Sequence, residues 1–155
     1  MLFSFVTTHL ANHALGLVSL QLAEQGREVF LAFWRSLPAT LVFYGAFALH
    51  IALALAALHD RRTLRMPPLE ALRLVVGLAI PVLLAAHFTG TRVAHELYGL
   101  DDPYVRIAPA IHGGGNSARQ LALLTLAWLH GCLGIHFVLR HRAGYRARFH
   151  AFFAL

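Results

Sequence analysis

Four long apolar stretches, each containing a histidine, constrain this sequence more than any other feature. Windows of about 19 residues place them near 2–23, 38–58, 74–95 and 119–139, and each approaches the roughly 20 residues that a helix needs to cross a bilayer. The histidines within them are His13, His50, His87 and His130. An imidazole in hydrocarbon is costly and is usually kept only where it has a partner. The pattern therefore predicts an all-α polytopic membrane bundle of four transmembrane helices whose histidines meet a partner inside.

Composition is typical of a membrane protein with one domain. Of its 155 residues, 58% are hydrophobic and 13% are charged, which lies outside the range of ordinary soluble proteins. The net charge of +6 comes from arginines in short clusters between apolar runs, and no basic stripe is interleaved with aromatic residues. We therefore expect lipid headgroups, and not nucleic acid, to meet these arginines.

The arginine distribution predicts an orientation. Short loops that stay in the cytoplasm are enriched in Lys and Arg, so the chain is expected to start and end on the cytoplasmic side. The arginines that support this follow the second and fourth stretches: Arg61, Arg62, Arg65, Arg73, Arg140, Arg142, Arg146 and Arg148. The first stretch begins without a polar anchor, and 149–155 begins another apolar run. We expect one domain over 1–155 that is truncated at both ends and includes the start of a fifth helix.

The positions of the four histidines predict two levels within the bundle. With a rise of about 1.5 Å per residue, His13 lies roughly 15 to 17 Å above the inner boundary and His87 roughly 20 Å. On the two descending helices, His50 and His130 lie roughly 12 and 14 Å above the same boundary. We therefore predict that His13 pairs with His87 and that His50 pairs with His130 at the lower level.

Small residues accompany the histidines at helical spacing. Three glycines each follow one of the histidines within about one turn, namely Gly16, Gly90 and Gly134. A flat macrocycle must approach the helix backbone closely, and small neighbours of its ligands leave a slot for it. Tight packing between membrane helices uses small residues at the same spacing, so both interpretations stay open.

Two histidine pairs on different levels favour b-type haem over zinc. Zinc gathers its ligands at one tetrahedral point, whereas a haem iron takes one axial ligand on each face. The single cysteine, Cys132, excludes an internal disulfide, and without a C-x-x-C-H motif a haem would be held with no thioether link. Iron with both axial positions filled transfers electrons or senses redox state. The alternative is that the histidines only form hydrogen bonds between helices.

Further residues are candidates for supporting roles. His9, one turn before His13, is an alternate ligand, and His136 is an alternate for His130. Arginines near the interfaces suit haem propionates through fork-like contacts, and the candidates are Arg73, Arg92, Arg119 and Arg140. Quinone carbonyls are expected near the same helix ends, at Arg92, Glu96, Tyr98, Arg140 or Tyr145, where interfacial anchoring explains these residues equally well.

Three strings resemble a known membrane anchor: THLANHALGL at 8–17, TGTRVAHE at 89–96 and WLHGCLGIHF at 128–137. The sequence is similar to the N-terminal domain of a group of bacterial class III adenylate cyclases. That domain in turn looks like the cytochrome b anchor subunits of succinate dehydrogenase and fumarate reductase. The resemblance spans nearly the whole chain, and the string at 128–137 is its most specific part.

The resemblance implies a bundle that binds two b haems, with histidines of the first and third helices paired, and those of the second and fourth. A His-Gly-x-x-Gly string on the last core helix implies His130 as a ligand in preference to His136. It also implies a bacterial inner membrane, exchange of electrons with quinone, and redox sensing for a cytoplasmic cyclase domain on the same or a separate chain. No cyclase domain follows in this sequence, so cyclase activity is not carried over to it.

Two other functions stay open. The chain is alternatively a cytochrome b anchor subunit of a succinate dehydrogenase or fumarate reductase type of complex, with an iron-sulfur subunit as its partner. It is otherwise a structural membrane anchor without a cofactor. No catalytic site is expected in the chain itself, and a homodimer is left open.

Overall fold

The computed structural model describes residues 1–111, 114–146 and 148, and this part of the chain is helical without any strand. The all-α prediction is confirmed. The helices are α1 (Leu2–Ala14), α2 (Leu20–Trp34), α3 (Leu37–His59), α4 (Pro68–Phe88), α5 (Ala94–Tyr98), α6 (Tyr104–Ile111) and α7 (Gly114–Leu139).

Three helices in the described part of the chain are long and apolar enough to cross a membrane. They are Leu37–His59, which is α3, the continuous rod Pro68–Tyr98, and Gly115–Leu139 within α7. The rod is continuous because the π-helical turn Thr89–Val93 joins α4 to α5. A helical membrane protein is therefore indicated, with three candidate crossings in place of the four predicted. The predicted start of a fifth helix at 149–155 lies outside the described residues.

The structure does not support the predicted crossing at 2–23, because the chain turns within this stretch. A short 3-10 turn, Leu15–Leu17, follows α1, and Ser19 is extended (φ −163°, ψ 154°). The Ser19 hydroxyl accepts a hydrogen bond from the Leu22 amide at 3.0 Å and so caps α2. Helices of 13 and 15 residues rise about 20 and 22 Å, less than the roughly 30 Å hydrocarbon core. A hydropathy average does not detect the serine that caps α2, so it did not predict the break between α1 and α2.

α4 and α7 make the most extensive helix–helix contact in the described part of the chain. α1 lies against α2, α3 and α7, and α6 contacts α2 and α7. A Cβ added at Gly131 would overlap the Phe3 ring, so this glycine allows α1 to approach α7. α3 packs on α1 and α2 but makes little backbone contact with α4 or α7. Side chains, and not backbones, therefore bridge the space between α3 and the α4–α7 pair.

Ionic contacts hold α2 to the segment before α6. Arg27 and Arg35 both approach Asp102, with N···O distances of 3.8 and 3.6 Å. Glu24 accepts hydrogen bonds from Arg27 Nε at 2.8 Å and from the Tyr104 amide at 2.9 Å. These bonds, first of all the one from Arg27, hold the pKa of Glu24 below its ordinary value. α2 and α6 thus form one layer over the end of the bundle that contains His87.

Candidate functional site

His50 of α3 and His130 of α7 face each other across the space beside α4. Their ring centroids are 6.0 Å apart, and the ring planes are nearly perpendicular, at 82°. Two metal–nitrogen bonds of about 2 Å, with about 1.1 Å from each nitrogen to its ring centre, place two axial imidazoles about 6 Å apart. The separation of these two rings is therefore compatible with a metal between them, and it also lies within the roughly 4.5–7 Å range of ordinary ring packing.

Gly77 of α4 supports the His130 ring from behind. A Cβ added at this glycine would lie 2.8 Å from Cε1 and 3.2 Å from Nδ1 of His130, closer than real Cβ contacts allow. Pro81, one turn later in α4, has no amide hydrogen for the Gly77 carbonyl. The sequence reasoning missed Gly77, because this glycine lies on a different helix from the histidine that it contacts.

The Nδ1 atom of His130 is buried and makes no hydrogen bond of normal geometry, although the backbone of Arg73 interacts with the ring. Buried polar atoms are generally paired, because an unsatisfied one costs about 1–3 kcal/mol. An imidazole that ligates a metal through one nitrogen typically donates the other N–H to a nearby acceptor. The Arg73 backbone is the acceptor available to His130, so the surroundings of this ring are compatible with a metal ligand.

The second group of histidines lies near the start of α7 and contains His9, His13 and His87. The His9 and His87 ring centroids are 5.9 Å apart, again close to the separation of two axial ligands. His13 instead has His9 and Tyr104 as its ring neighbours, at 4.5 and 5.7 Å. On this geometry His9, the alternate ligand of the sequence analysis, lies opposite His87 at axial-ligand separation.

Both ring nitrogens of His13 take part in hydrogen bonds. Its Nδ1 lies 2.8 Å from the Tyr104 hydroxyl, and its Nε2 lies 3.2 Å from Nε2 of His9. Asn12 Nδ2 donates to the same hydroxyl at 3.0 Å. Burial raises the pKa of Tyr104, so its hydroxyl keeps its proton and is able to donate it to His13. A consistent assignment then runs from Asn12 through Tyr104 and His13 to His9, each group donating to the next.

Replacing Tyr104 with phenylalanine should lower the free energy of unfolding by about 1–3 kcal/mol, because the buried Asn12 side chain loses its hydrogen-bond partner and His13 loses one of two. Denaturant unfolding in detergent, followed by tryptophan fluorescence, measures this change. Tyr98→Phe is the matched control, since Tyr98 is 74% exposed. Equal stability of the two variants would show that the Tyr104 hydroxyl contributes nothing.

The predicted glycines differ in their surroundings. Gly16 faces Ala23 of α2 at ordinary contact distance, 3.8 Å, which favours the packing interpretation at this position. A Cβ at Gly90 or Gly134 would meet no heavy atom within 4 Å, so open space lies beside both. His136, the other alternate ligand, has Nδ1 3.2 Å from the Tyr145 hydroxyl, in line with a hydrogen-bonding role.

The candidate propionate arginines already have protein partners. Arg92 pairs with Glu96 at 3.1 Å, and its guanidinium lies 5.9 Å from the centre of the Tyr44 ring. Arg119 donates to the Leu83 carbonyl and to Asn116, at 3.3 and 2.6 Å. The other two, Arg73 and Arg140, lie over the Phe137 ring.

His87 has a neighbour that the sequence reasoning missed. The amide nitrogen of Gln120 in α7 lies 3.5 Å from Nδ1 of His87, at the outer limit of hydrogen bonding. A single glutamine in an apolar helix is a weak signal by itself, because membrane helices often carry polar residues for packing. It becomes informative only once α4 and α7 are known to be neighbours.

Across the described residues, no three His, Cys, Asp or Glu side chains are grouped in a way that could hold a metal ion. The histidines instead meet two at a time, as His50 with His130 and His9 with His87. Comparison with known proteins adds no relative: no family model, no curated protein and no solved structure matches the chain.

Proposed function

We propose that this chain is a membrane-embedded electron-transfer domain that binds b-type haem between histidines of different helices. The apposition of His50 and His130 at 6.0 Å is the observation that carries the proposal. The Gly77 backbone behind His130 and the small backbone contact between α3 and the α4–α7 pair support it, because a porphyrin needs a flat space beside its ligands.

A second haem belongs to the same proposal, with His87 as one ligand and His9 or His13 as the other. The 5.9 Å separation of the His9 and His87 rings favours His9, whereas the depth of the residues along the helices favours His13. A haem bound there would supply one-electron transfer. The histidines would hold and orient it, and the apolar helices would surround it.

The resemblance of three sequence strings supports the larger role. We propose that the domain exchanges electrons with quinone in a bacterial inner membrane and is the redox-sensing anchor of an adenylate cyclase. Arg92 and Glu96, paired at the end of the Pro68–Tyr98 rod, are candidates for the quinone contact. A cytochrome b anchor subunit beside an iron-sulfur protein is the alternative, and neighbouring genes for a flavoprotein and an iron-sulfur subunit would favour it.

Three crossings change the proposed orientation of the N-terminal part. The segment between α3 and α4 and the end of α7 carry most of the arginines, so we place this side in the cytoplasm. α6 and the end of α1 lie toward the opposite end of the bundle, near His87, whereas Phe3 at the start of α1 packs on Gly131 and Trp128 beside His130. α1 and α2 then fold back from the outer side without crossing, whereas four crossings placed the N-terminus in the cytoplasm.

Cysteine labelling tests this arrangement. In a chain with Cys132 replaced by alanine, Leu17→Cys should react with an impermeant maleimide from the outer side, and Leu64→Cys only from the cytoplasmic side. Leu17 is 90% exposed and Leu64 is 71% exposed, so the protein itself covers neither position. Labelling of both from the same side would contradict three crossings with a folded-back α1–α2 segment.

A redox-difference spectrum of the chain, purified from haem-replete cells, tests haem binding. The proposal expects bands of six-coordinate b haem on reduction by dithionite, and acidified acetone should extract the haem because no covalent bond would hold it. A structural membrane anchor without a cofactor is the second candidate function. Its histidines would only form hydrogen bonds, and the hydrogen bonds of His13 favour it at that position. Colourless protein from the same cells would support this cofactor-free anchor.

A further inference from the structure

At the arginine-rich end of the bundle, two guanidinium groups lie against one aromatic ring. The Cζ atom of Arg73 in α4 is 4.2 Å from the centroid of Phe137 in α7, and that of Arg140, just after α7, is 4.6 Å from it. Guanidinium groups stack well on aromatic rings and are held there in a defined orientation. The ring thus gathers two positive charges from two different membrane helices at one place. Arg73, Phe137 and Arg140 are called the arginine pair site below.

Negative charge at this end does not balance the arginines. Glu70 is the carboxylate in contact, and it already pairs with Arg61 at 3.1 Å and with Arg140 at 4.0 Å. In the described chain, no carboxylate lies within ion-pair distance of Arg73, whose side chain is only partly exposed. A partly buried guanidinium without a counter-ion is unfavourable, and stacking on one ring offsets only part of that cost.

The position of this site indicates the kind of anion that reaches it. Arg73 lies in the second turn of a candidate membrane helix, and Arg140 directly follows another, so both side chains are at the level where lipid headgroups lie. Basic pockets between membrane helices on the cytoplasmic side bind anionic headgroups, whose phosphate accepts paired hydrogen bonds from arginine.

We propose that Arg73, Phe137 and Arg140 form a binding site for the phosphate of an anionic lipid headgroup between α4 and α7. The lipid phosphate supplies the counter-ion that the chain itself does not provide for Arg73. The proposal does not require haem, because it depends on the side chains of Arg73, Phe137 and Arg140, whereas the contact of Arg73 with His130 is made by its backbone. It assigns these two arginines to lipid, whereas the sequence analysis offered them as partners of a haem propionate.

Native mass spectrometry of the full chain tests the site, with phosphatidylglycerol and phosphatidylcholine of identical acyl chains as probes. Arg73→Gln should weaken phosphatidylglycerol binding about fivefold, the effect of one arginine near a membrane surface, and leave phosphatidylcholine binding unchanged. Arg140→Gln should act similarly. Arg62→Gln is the control, because Arg62 is an exposed arginine of the same side that lies outside the arginine pair site.

Three results would overturn the proposal. One is an equal loss in Arg73→Gln and Arg62→Gln, which would indicate a diffuse surface charge. Another is full competition by millimolar inorganic phosphate, which would indicate a site for free phosphate. The last is a loss of haem in Arg73→Gln with unchanged lipid binding, which would assign the arginine to a propionate.

Discussion

Replacing His130 or His50 with alanine should remove roughly half of the haem bound per chain. Each substitution takes away one of the two proposed ligands, whose ring centroids lie 6.0 Å apart, and the remaining imidazole alone would not hold an iron from both sides. A haem at His87 should stay, because its proposed ligands come from α1 and α4 at the other level of the bundle. Pyridine haemochrome analysis of purified protein, normalised to protein concentration, measures the change.

His59→Ala is the matched control for these two variants. His59 is the last residue of α3, nine residues beyond His50 and so about 14 Å further along the helix, and its loss should leave the haem content unchanged. The same haem-to-protein ratio in wild type, His50→Ala and His130→Ala would refute this pair as ligands. Circular dichroism of each variant separates a lost ligand from a lost fold.

Gly77→Val should displace His130 and remove the haem that depends on it. The position of a Cβ at residue 77 is only 2.8 Å from Cε1 of His130, so the added side chain and the ring exclude each other. Overpacking of this kind typically costs about 1–3 kcal/mol, and here it acts between α4 and α7, which make the most extensive contact among the described helices. We expect a lower unfolding midpoint together with about half the haem content, measured on the same preparation.

Gly45→Val is the control, since a Cβ at Gly45 of α3 would meet nothing within 4 Å. It introduces the same side chain into a candidate membrane helix without touching His130. Normal haem content in Gly77→Val would show that the close approach of His130 to α4 has no role in holding a cofactor. A similar loss in Gly45→Val would point to a general effect of valine in these helices.

Hydropathy predicted the helical class and three of the helices, because long apolar runs leave few other structures possible in a membrane. It failed at the first stretch, where the decisive residue is polar and local. Ser19 accepts the Leu22 amide and starts a new helix, so the chain folds back within a run that looks continuous when averaged over 19 residues. A serine before an apolar run is a helix-start signal, and weighing it against hydropathy would have indicated the break.

The site was predictable to the extent that it depends on rare residues. Histidine in an apolar helix is conspicuous, and helix rise alone puts His50 and His130 at one depth. Their neighbours were not predictable, since Gly77 and Tyr104 matter only through contacts between distant parts of the chain. Tyr104 was passed over because it lies in a segment that reads as a connector, whereas the structure places it in α6 against α2.

An experimental density map of the chain purified from haem-replete cells tests the central claim most directly. The account predicts a porphyrin between α3 and the α4–α7 pair, with its iron about 2 Å from one nitrogen each of His50 and His130. A map in which the two imidazoles form a hydrogen bond with each other would contradict this account. So would a map in which they turn toward the lipid with no porphyrin between them.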